Sequence, residues 1–235
     1  LDAFAKTPGI IAIGECGLDY HYKREEQHRL KQHIWFLYQL DLAWRLKKPV
    51  ILHIRDAHED ALRILRGLRF AARFGFEIEE TTGQAMHTEI AGLDALARER
   101  VMTELTGFLQ AATARDLLGA AEILCRVVPE LAPTVGFAQH SRHHVHDVFG
   151  HIAQVVESVP PTAQLRLAAL LHDIGKPDVF TLDEGGVGHF YGHASVSADM
   201  ADRILDRLKA SNALPAEGVW LVKHHMDRYP PDEKT

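Results

Sequence analysis

The chain has 235 residues, of which 46% are apolar and 25% are charged, and its formal net charge is −6 at pH 7. These values are ordinary for a globular protein and exclude a chain that is disordered throughout. The acidic balance argues against a broad nucleic-acid-binding surface, although it is compatible with a local basic patch.

The sequence contains no signal that would direct it to or through a membrane. No apolar run approaches the roughly 18 residues of a membrane span. The N-terminal residues lack the basic and apolar segments of a secretion signal. Cys16 and Cys125 are far apart and match no metal or redox spacing, so we predict two free thiols in a reducing compartment. We therefore expect a cytoplasmic protein with no membrane partner.

The first third of the chain alternates between strand and helix patterns. Residues 9–14 are a short apolar run ended by glycine and predict a buried strand. Residues 25–47 predict a helix that Pro49 stops, and residues 50–54 predict a second strand. Residues 56–66 predict the next helix. This order implies a parallel βαβ arrangement.

After Arg66, helical periodicity dominates. The predicted helices cover residues 67–74, 98–127, 147–159, 164–174, 195–210 and 217–227. Residues 164–174 are apolar nearly all round, which predicts a central, buried helix. Residues 178–192 contain a glycine-rich loop or a small hairpin. The sequence therefore predicts an α/β segment followed by an all-α region.

Histidines are concentrated toward the C-terminus, since ten of the sixteen lie between His140 and His225. Two polar residues, His172 and Asp173, end the predicted buried helix, where periodicity predicts core. Burying an imidazole and a carboxylate without partners costs several kcal/mol. A metal ion removes this cost because both groups are metal ligands. His151 lies on the edge of the apolar stripe of the preceding helix, so two antiparallel helices can bring these three residues together.

Other histidines extend this pattern. His193 precedes a predicted helix, His225 lies on the last helix, and His144 is seven residues before His151. The alternative interpretation is a set of core or capping histidines, which a lone histidine would favour but a His-Asp pair with flanking histidines does not. Four further histidines are expected on the surface or in loops: His140, His143, His146 and His189.

Several stretches in the last 170 residues resemble bacterial CCA-adding tRNA nucleotidyltransferases. Four of them look like the HD domain of those enzymes: HHVHDVFGH, LRLAALLHDIGKP, HFYGHASVSADMADRIL and LVKHHMD. GLRFAARFGFEIEETTGQAM and ERVMTELTGFL resemble their neck and body. The resemblance implies that His151, His172 and Asp173 are metal ligands. It implies that His193 and His225 are accessory catalytic residues that bind phosphate or transfer protons, with His224 competing for the role of His225.

The resemblance also implies an activity. Its members hydrolyse phosphate monoesters and 2′,3′-cyclic phosphates, so we expect a divalent-metal phosphohydrolase that uses Mg, Mn, Ni, Co, Fe or Zn. A nucleotide or RNA 3′ end is the expected substrate, and tRNA is a candidate partner. The nucleotidyltransferase head, with its Gly-Ser loop and paired aspartates, has no counterpart in these 235 residues. We therefore expect no CCA addition.

Residues 9–66 resemble another family, the TatD-type metal-dependent deoxyribonucleases. The matching stretches are IIAIGECGLDYHYKREEQHRLKQ and FLYQLDLAWRLKKPVILHIRDAHEDALRIL. The resemblance implies that Glu15 and His53 are metal ligands at the ends of barrel strands. The family's other ligands have no counterpart here, and a barrel needs eight strands. We expect a vestige of a fused fragment without nuclease activity.

The expected fold is mainly α: an HD-type helical domain with a helical neck, preceded by a truncated α/β, partial TIM-barrel-like segment. The predicted domains are residues 1–65, 66–135 and 136–235. Two alternatives to the hydrolase stay open. One is a tRNA-binding fragment that uses a basic stripe (Arg63, Arg66, Arg69 and Arg73), and the other is a catalytically silent fusion product. The open sheet edges of the first segment either pack on the helical body or pair with another copy in a homodimer.

Overall fold

The structure, a computed structural model, describes residues 1–17, 26–52, 60–140, 146–211 and 213–227. The chain divides into two compact units, Leu1–Asp60 and Ala61–Thr235. Both described units are dominated by helices, which confirms the mainly α fold. None of the helices among the described residues has the length and apolar character needed to cross a membrane.

The N-terminal unit is a small βα arrangement. Its elements are α1 (Asp2–Ala5), β1 (Ile13–Cys16), α2 (Glu26–Leu46) and β2 (Val50–Leu52). The two strands pair in parallel, with Ile13 opposite Val50, which confirms the predicted βαβ connection. Cys16 is buried in β1 and is a free thiol, and burial raises its pKa to about 11.

The first strand begins later than the sequence predicted. The prediction of a strand at residues 9–14 is wrong for residues 9–12, because β1 starts at Ile13. Gly9 adopts a left-handed φ of 94°, and the Ile10 amide donates to the carbonyl of Thr7 in a turn. The Lys48 ammonium donates a hydrogen bond to the Ile10 carbonyl oxygen, 2.6 Å away. These bonds occupy the backbone groups that an extended strand would have offered to a neighbour.

The C-terminal unit contains the remaining elements. Its helices are α3 (Asp60–Phe74), α4 (Glu80–Thr88), α5 (Arg98–Ala111), α6 (Ala114–Gly119), α7 (Ala121–Val127), α8 (Val148–Ser158), α9 (Ala163–Leu171), α10 (His193–Arg207) and α11 (Ala213–His224). Short 3-10 turns cover Ile90–Ala95, Pro129–Thr134 and Pro177–Val179. Strands β3 (Thr181–Leu182) and β4 (Gly188–His189) form an antiparallel hairpin. The hairpin expected within residues 178–192 is confirmed.

Two helix predictions differ from the structure. Residues 98–127 form three helices instead of one, because Ala112 is extended and Thr113 starts a new helix. Thr113 and Asp116 make a capping box there, in which each side chain bonds the other's backbone amide. The predicted helices on either side of Arg66 are instead continuous, since α3 runs through Gly67 without a break.

Helix α9 lies at the centre of the C-terminal unit. It packs against α5, α8, α10 and α11, and every residue from Arg166 to Leu171 is buried. The predicted apolar face of α8 is also confirmed, since Val148, Ile152 and Val156 are fully buried. The core therefore surrounds the helix whose C-terminal end carries His172 and Asp173.

Candidate metal centre

Asp173 follows the buried end of α9 and is only 1% exposed. Neither of its carboxylate oxygens receives a hydrogen bond of regular geometry, although four imidazole nitrogens and one ammonium group lie within 3.7 Å of them. A buried carboxylate in this state is costly unless a positive charge satisfies it. Asp173 is therefore the residue on which the site converges.

Oxygen Oδ2 of Asp173 faces α8 and α9. The Nε2 atoms of His172 and His151 lie 3.2 and 3.4 Å from it, and these two nitrogens are 3.3 Å from each other. The ammonium of Lys176 lies 2.7 Å from the same oxygen. The structure thus brings together the three residues that the sequence predicted as metal ligands.

Oxygen Oδ1 of Asp173 faces α10 and the end of α11. His193 Nε2 lies 3.2 Å from it and His225 Nε2 lies 3.7 Å from it. The two imidazole nitrogens are 3.2 Å apart. His224 points elsewhere and forms an exposed pair with Asp227 at 2.6 Å. Of the two competing histidines, the structure places His225 at the site.

Three of the four imidazoles are oriented by their own backbone. In each, Nδ1 lies against the carbonyl oxygen of the residue three positions earlier. These contacts, all 2.7 Å long, join His172 to Ala169, His193 to Phe190 and His225 to Val222. A proton on Nδ1 satisfies the carbonyl and leaves Nε2 with a bare lone pair. In that tautomer the lone pairs of three rings point toward the Asp173 carboxylate, which is how histidine ligands are arranged around a metal ion.

The electrostatics of Asp173 agree with this view. Burial opposes ionisation, but contact with the imidazoles of His172, His193 and His225 outweighs burial and holds the Asp173 pKa well below its usual range. For His225, burial lowers the pKa, and the nearby negative charge of Asp173 outweighs this and raises it. The carboxylate is therefore ionised at neutral pH, as a metal ligand must be.

The donor set fits one or two divalent ions. Among the residues that the structure describes, two groups of three side chains have ligand atoms within 4.8 Å of one another, and they share Asp173. The groups are His151, His172 and Asp173, and Asp173, His193 and His225. Each offers two imidazole nitrogens and a carboxylate oxygen, which suits zinc, nickel or iron better than magnesium.

A tight turn holds Asp173 close to α10. Gly175 donates its amide to Ser197 Oγ at 3.0 Å. A Cβ at this glycine would lie 2.8 Å from the Ser197 nitrogen and 2.9 Å from Val196 Cγ1, so a side chain there would push α10 away. The absence of a side chain at Gly175 therefore allows His193 to approach Asp173.

Sequence reasoning missed two residues of the site. Lys176 is 6% exposed, and in addition to Asp173 it contacts Gln139 Oε1 at 2.8 Å. Gln139 is 3% exposed. The available signal was a lysine placed directly after the buried helix and its Gly175 turn, where a buried cation needs an anion.

The remaining histidines lie outside this centre. His140 and His146 are exposed, as the sequence predicted, whereas His189, predicted on the surface or in a loop, is half-buried in β4. His143 and His144 fall outside the described residues. In the N-terminal unit, Glu15 is exposed on β1 and belongs to no group of three ligating side chains among the residues described. His53, its predicted partner, also falls outside them.

The predicted basic stripe on α3 is largely paired with an acid. Glu104 on α5, 6% exposed, accepts from Arg66 Nε at 2.8 Å and from Arg69 Nε at 2.7 Å. The guanidinium of Arg73 lies over the Phe74 ring, 5.7 Å from its centroid. Two of the four arginines therefore share one carboxylate, which offsets part of their positive charge and weakens the case for an RNA-binding stripe.

Comparison with known proteins supports both parts of the sequence assignment. Residues 142–234 match the HD domain family and residues 1–90 match the family described as TatD related DNase. The second match runs past the predicted domain boundary at residue 65, whereas the two compact units divide between Asp60 and Ala61.

Curated relatives are tRNA nucleotidyltransferases. The chain is 37% identical over 210 residues to the CC-adding tRNA nucleotidyltransferase of Thermus thermophilus, covering 83% of this chain and 48% of the relative. It is 37% identical over 251 residues to the multifunctional CCA protein of Halorhodospira halophila, and this match covers 95% of this chain and 60% of the relative. The chain thus spans about half the length of the curated relatives it matches. The chain is thus similar to tRNA nucleotidyltransferases over most of its length, to the HD domain family over residues 142–234 and to TatD related DNases over residues 1–90, the resemblances that the motifs predicted.

Proposed function

We propose that residues 136–235 act as a divalent-metal-dependent phosphohydrolase of the HD type. The expected substrates are phosphate monoesters or 2′,3′-cyclic phosphates of nucleotides or RNA ends. One observation carries the proposal: four imidazole nitrogens converge on the buried carboxylate of Asp173, within 3.2–3.7 Å. A purely structural cluster would satisfy such a carboxylate with regular hydrogen bonds, and Asp173 has none.

The geometry favours ligand roles for all four histidines. His151 and His172 would hold one ion with Asp173 Oδ2, and His193 and His225 would hold a second with Oδ1. From the sequence, we expected His193 and His225 to bind phosphate or transfer protons. Their Nε2 atoms face Asp173, so we propose that they are ligands instead. When bound, a divalent ion supplies an activated water and polarises the phosphoryl group.

Lys176 has a positioning role in this proposal. Its ammonium contacts Asp173 Oδ2 and Gln139 Oε1, and it lies 5.2 Å from the centre of the Phe190 ring. These three neighbours enclose the lysine, so it balances the charge of Asp173 and fixes the direction of its carboxylate. Gln139 then holds Lys176 in place from the segment before α8.

We also propose that these 235 residues do not add nucleotides to tRNA. Nucleotidyl transfer with two metal ions needs a cluster of carboxylates. Within the part of the chain that the structure describes, both groups of ligating side chains are at Asp173 and are rich in histidine. Glu15, the one predicted N-terminal ligand that lies within the described residues, belongs to neither of these groups.

The test measures metal content and hydrolysis in parallel. Purified protein is analysed for bound transition metals, and its hydrolysis of 2′,3′-cyclic AMP is followed before and after chelation. Asp173→Asn keeps the size of the side chain but removes the shared anionic ligand. We expect the variant to lose its bound metal and at least about a hundredfold of its activity, while circular dichroism shows the helices intact.

A matched pair of histidines provides the control. His225→Ala removes a proposed ligand, whereas His224→Ala removes the adjacent exposed imidazole that contacts Asp227. We expect metal loss and lower activity from the first and neither from the second. Full metal content and activity in Asp173→Asn, or hydrolysis that survives complete chelation, would contradict the proposal.

A further inference from the structure

An exposed aromatic ring, that of Tyr191, lies two residues before His193 of the candidate centre and is held in place by polar contacts. Tyr191 is 77% exposed, yet its ring stacks on that of His189 at a centroid distance of 5.2 Å and an interplanar angle of 8°. Exposed tyrosines are ordinarily free to move between rotamers. A fixed, solvent-facing ring calls for an explanation.

A chain of hydrogen bonds fixes this ring. Asp183 Oδ1 accepts the amides of Gly185 and Val187, both at 2.9 Å, which anchors the carboxylate in the β3–β4 hairpin. Its Oδ2 accepts from His189 Nε2 at 3.0 Å. With that proton on Nε2, His189 Nδ1 is an acceptor for the Tyr191 hydroxyl, 3.2 Å away. A single tautomer of His189, with its proton on Nε2, therefore satisfies both contacts of that ring. The other face of the Tyr191 ring is open to solvent.

The ring is also tied to the candidate centre. The carbonyl oxygen of Phe190, the preceding residue, accepts a hydrogen bond from His193 Nδ1. The Phe190 ring lies near the Lys176 ammonium. Tyr191 is two residues before His193, so their Cα atoms are at most about 7 Å apart. A separation of this size would allow a nucleotide with its phosphate at the centre to present its base to Tyr191.

We propose that Tyr191 is a stacking platform for the base of the substrate, so that the site prefers nucleotides to phosphate esters without a base. The proposal rests on the proposed function, whose substrate class it narrows. Stacking of a base on an aromatic side chain tolerates every base, because each presents a flat π face. The prearranged ring adds affinity because little conformational freedom is lost when the base arrives.

Binding tests this inference independently of catalysis. Isothermal titration compares AMP with ribose 5-phosphate, which carries the same phosphate but no base. We expect wild-type protein to bind AMP about tenfold more tightly. Tyr191→Leu should abolish that preference and Tyr191→Phe should retain most of it, since Phe keeps the ring. Phe4→Leu, which removes an exposed aromatic ring of the N-terminal unit, is the matched control and should leave the preference unchanged.

Kinetics provides the second readout. Tyr191→Leu should raise the KM for 2′,3′-cyclic AMP about tenfold and leave kcat within about twofold. A preference for AMP that persists in Tyr191→Leu, or that wild-type protein lacks, overturns the inference while the hydrolysis assay remains valid. Absence of hydrolysis in wild-type protein that does prefer AMP would overturn the proposed activity and leave the platform supported.

Discussion

Glu104 offers a sharp test of how the helical neck is held together. Its buried carboxylate accepts from two arginines of α3, and those arginines are half of the proposed RNA-binding stripe. Glu104→Gln keeps the shape of the side chain but removes its charge and turns one acceptor oxygen into a donor. Because that amide would face two guanidinium groups, at least one of its contacts becomes repulsive.

The structure sets the size of the effect. The side chains of Arg66 and Arg69 are 27% and 22% exposed, whereas that of Glu104 is 7% exposed. Removing one partner of a fully buried ion pair costs about 3–5 kcal/mol. Since both guanidinium groups retain some access to water, we expect about 2–3 kcal/mol. In a unit of this size that corresponds to a fall in Tm of about 5–10 °C.

The assay is thermal and urea unfolding, followed by circular dichroism at 222 nm, because helices dominate the signal. Glu99→Gln is the matched control, as it removes a carboxylate from the same helix. Its partner is the exposed Lys209, 3.0 Å away, so solvent already screens the pair and we expect the midpoint to stay unchanged.

The same variant separates the two functional alternatives. If the α3 stripe binds tRNA, releasing Arg66 and Arg69 from Glu104 should strengthen binding and steepen its dependence on salt. If the stripe is a structural element, Glu104→Gln should destabilise the protein and leave tRNA binding unaltered. A Glu104→Gln protein as stable as the wild type would refute our reading of this carboxylate as the acceptor that holds α3 to α5.

Further predictions concern an ion pair, the N-terminal vestige and nucleotide addition. Burial tends to raise the pKa of Glu130, but the hydrogen bonds from Arg207, 2.6 and 2.7 Å long, outweigh it and lower the pKa. The pair therefore stabilises the fold above the ordinary pKa of 4.5 and ceases to do so as pH falls through the lowered value. Because solvent screens the 41% exposed arginine, the free energy of unfolding of wild type should exceed that of Glu130→Gln by only about 0.5–1 kcal/mol at pH 7. In strong acid the two proteins should be equally stable. Equal stability at both pH values would refute this prediction. Glu15→Ala and His53→Ala should each leave kcat/KM for 2′,3′-cyclic AMP within a few fold, because two ligands do not make a metal site, and a hundredfold loss in folded protein would show that they join the working site. Pure protein given CTP and ATP should add no labelled nucleotide to tRNA, and measurable incorporation would show a transferase activity.

The sequence was sufficient to indicate His172 and Asp173, because polar residues at the end of an apolar helix conflict with its periodicity. It could not decide between His224 and His225. Adjacent residues on a helix differ by about 100° in direction, and only the packing of α11 shows which side faces α10. Lys176 was missed for a related reason: its role depends on Gln139, which is 37 residues away in the chain.

Helix boundaries were predicted less well than helix existence. The stretch at residues 98–127 lacks proline and glycine clusters, so periodicity alone runs through it. The stop at Thr113 was present in the sequence as a threonine followed three residues later by an aspartate, which is a recognised helix start. The pairing of Glu104 with α3 had no comparable signal, since an acidic residue on a helix ordinarily faces solvent.

The bonds from three imidazoles to backbone carbonyls have a consequence for how freely this region can vary. Each ring is oriented by the main chain of its own segment, at Ala169, Phe190 and Val222, and not by the side chains of those residues. Any residue that keeps the local backbone supplies the same acceptor. Substitution at these three positions can therefore change core packing or the surface while the direction of each ring is preserved.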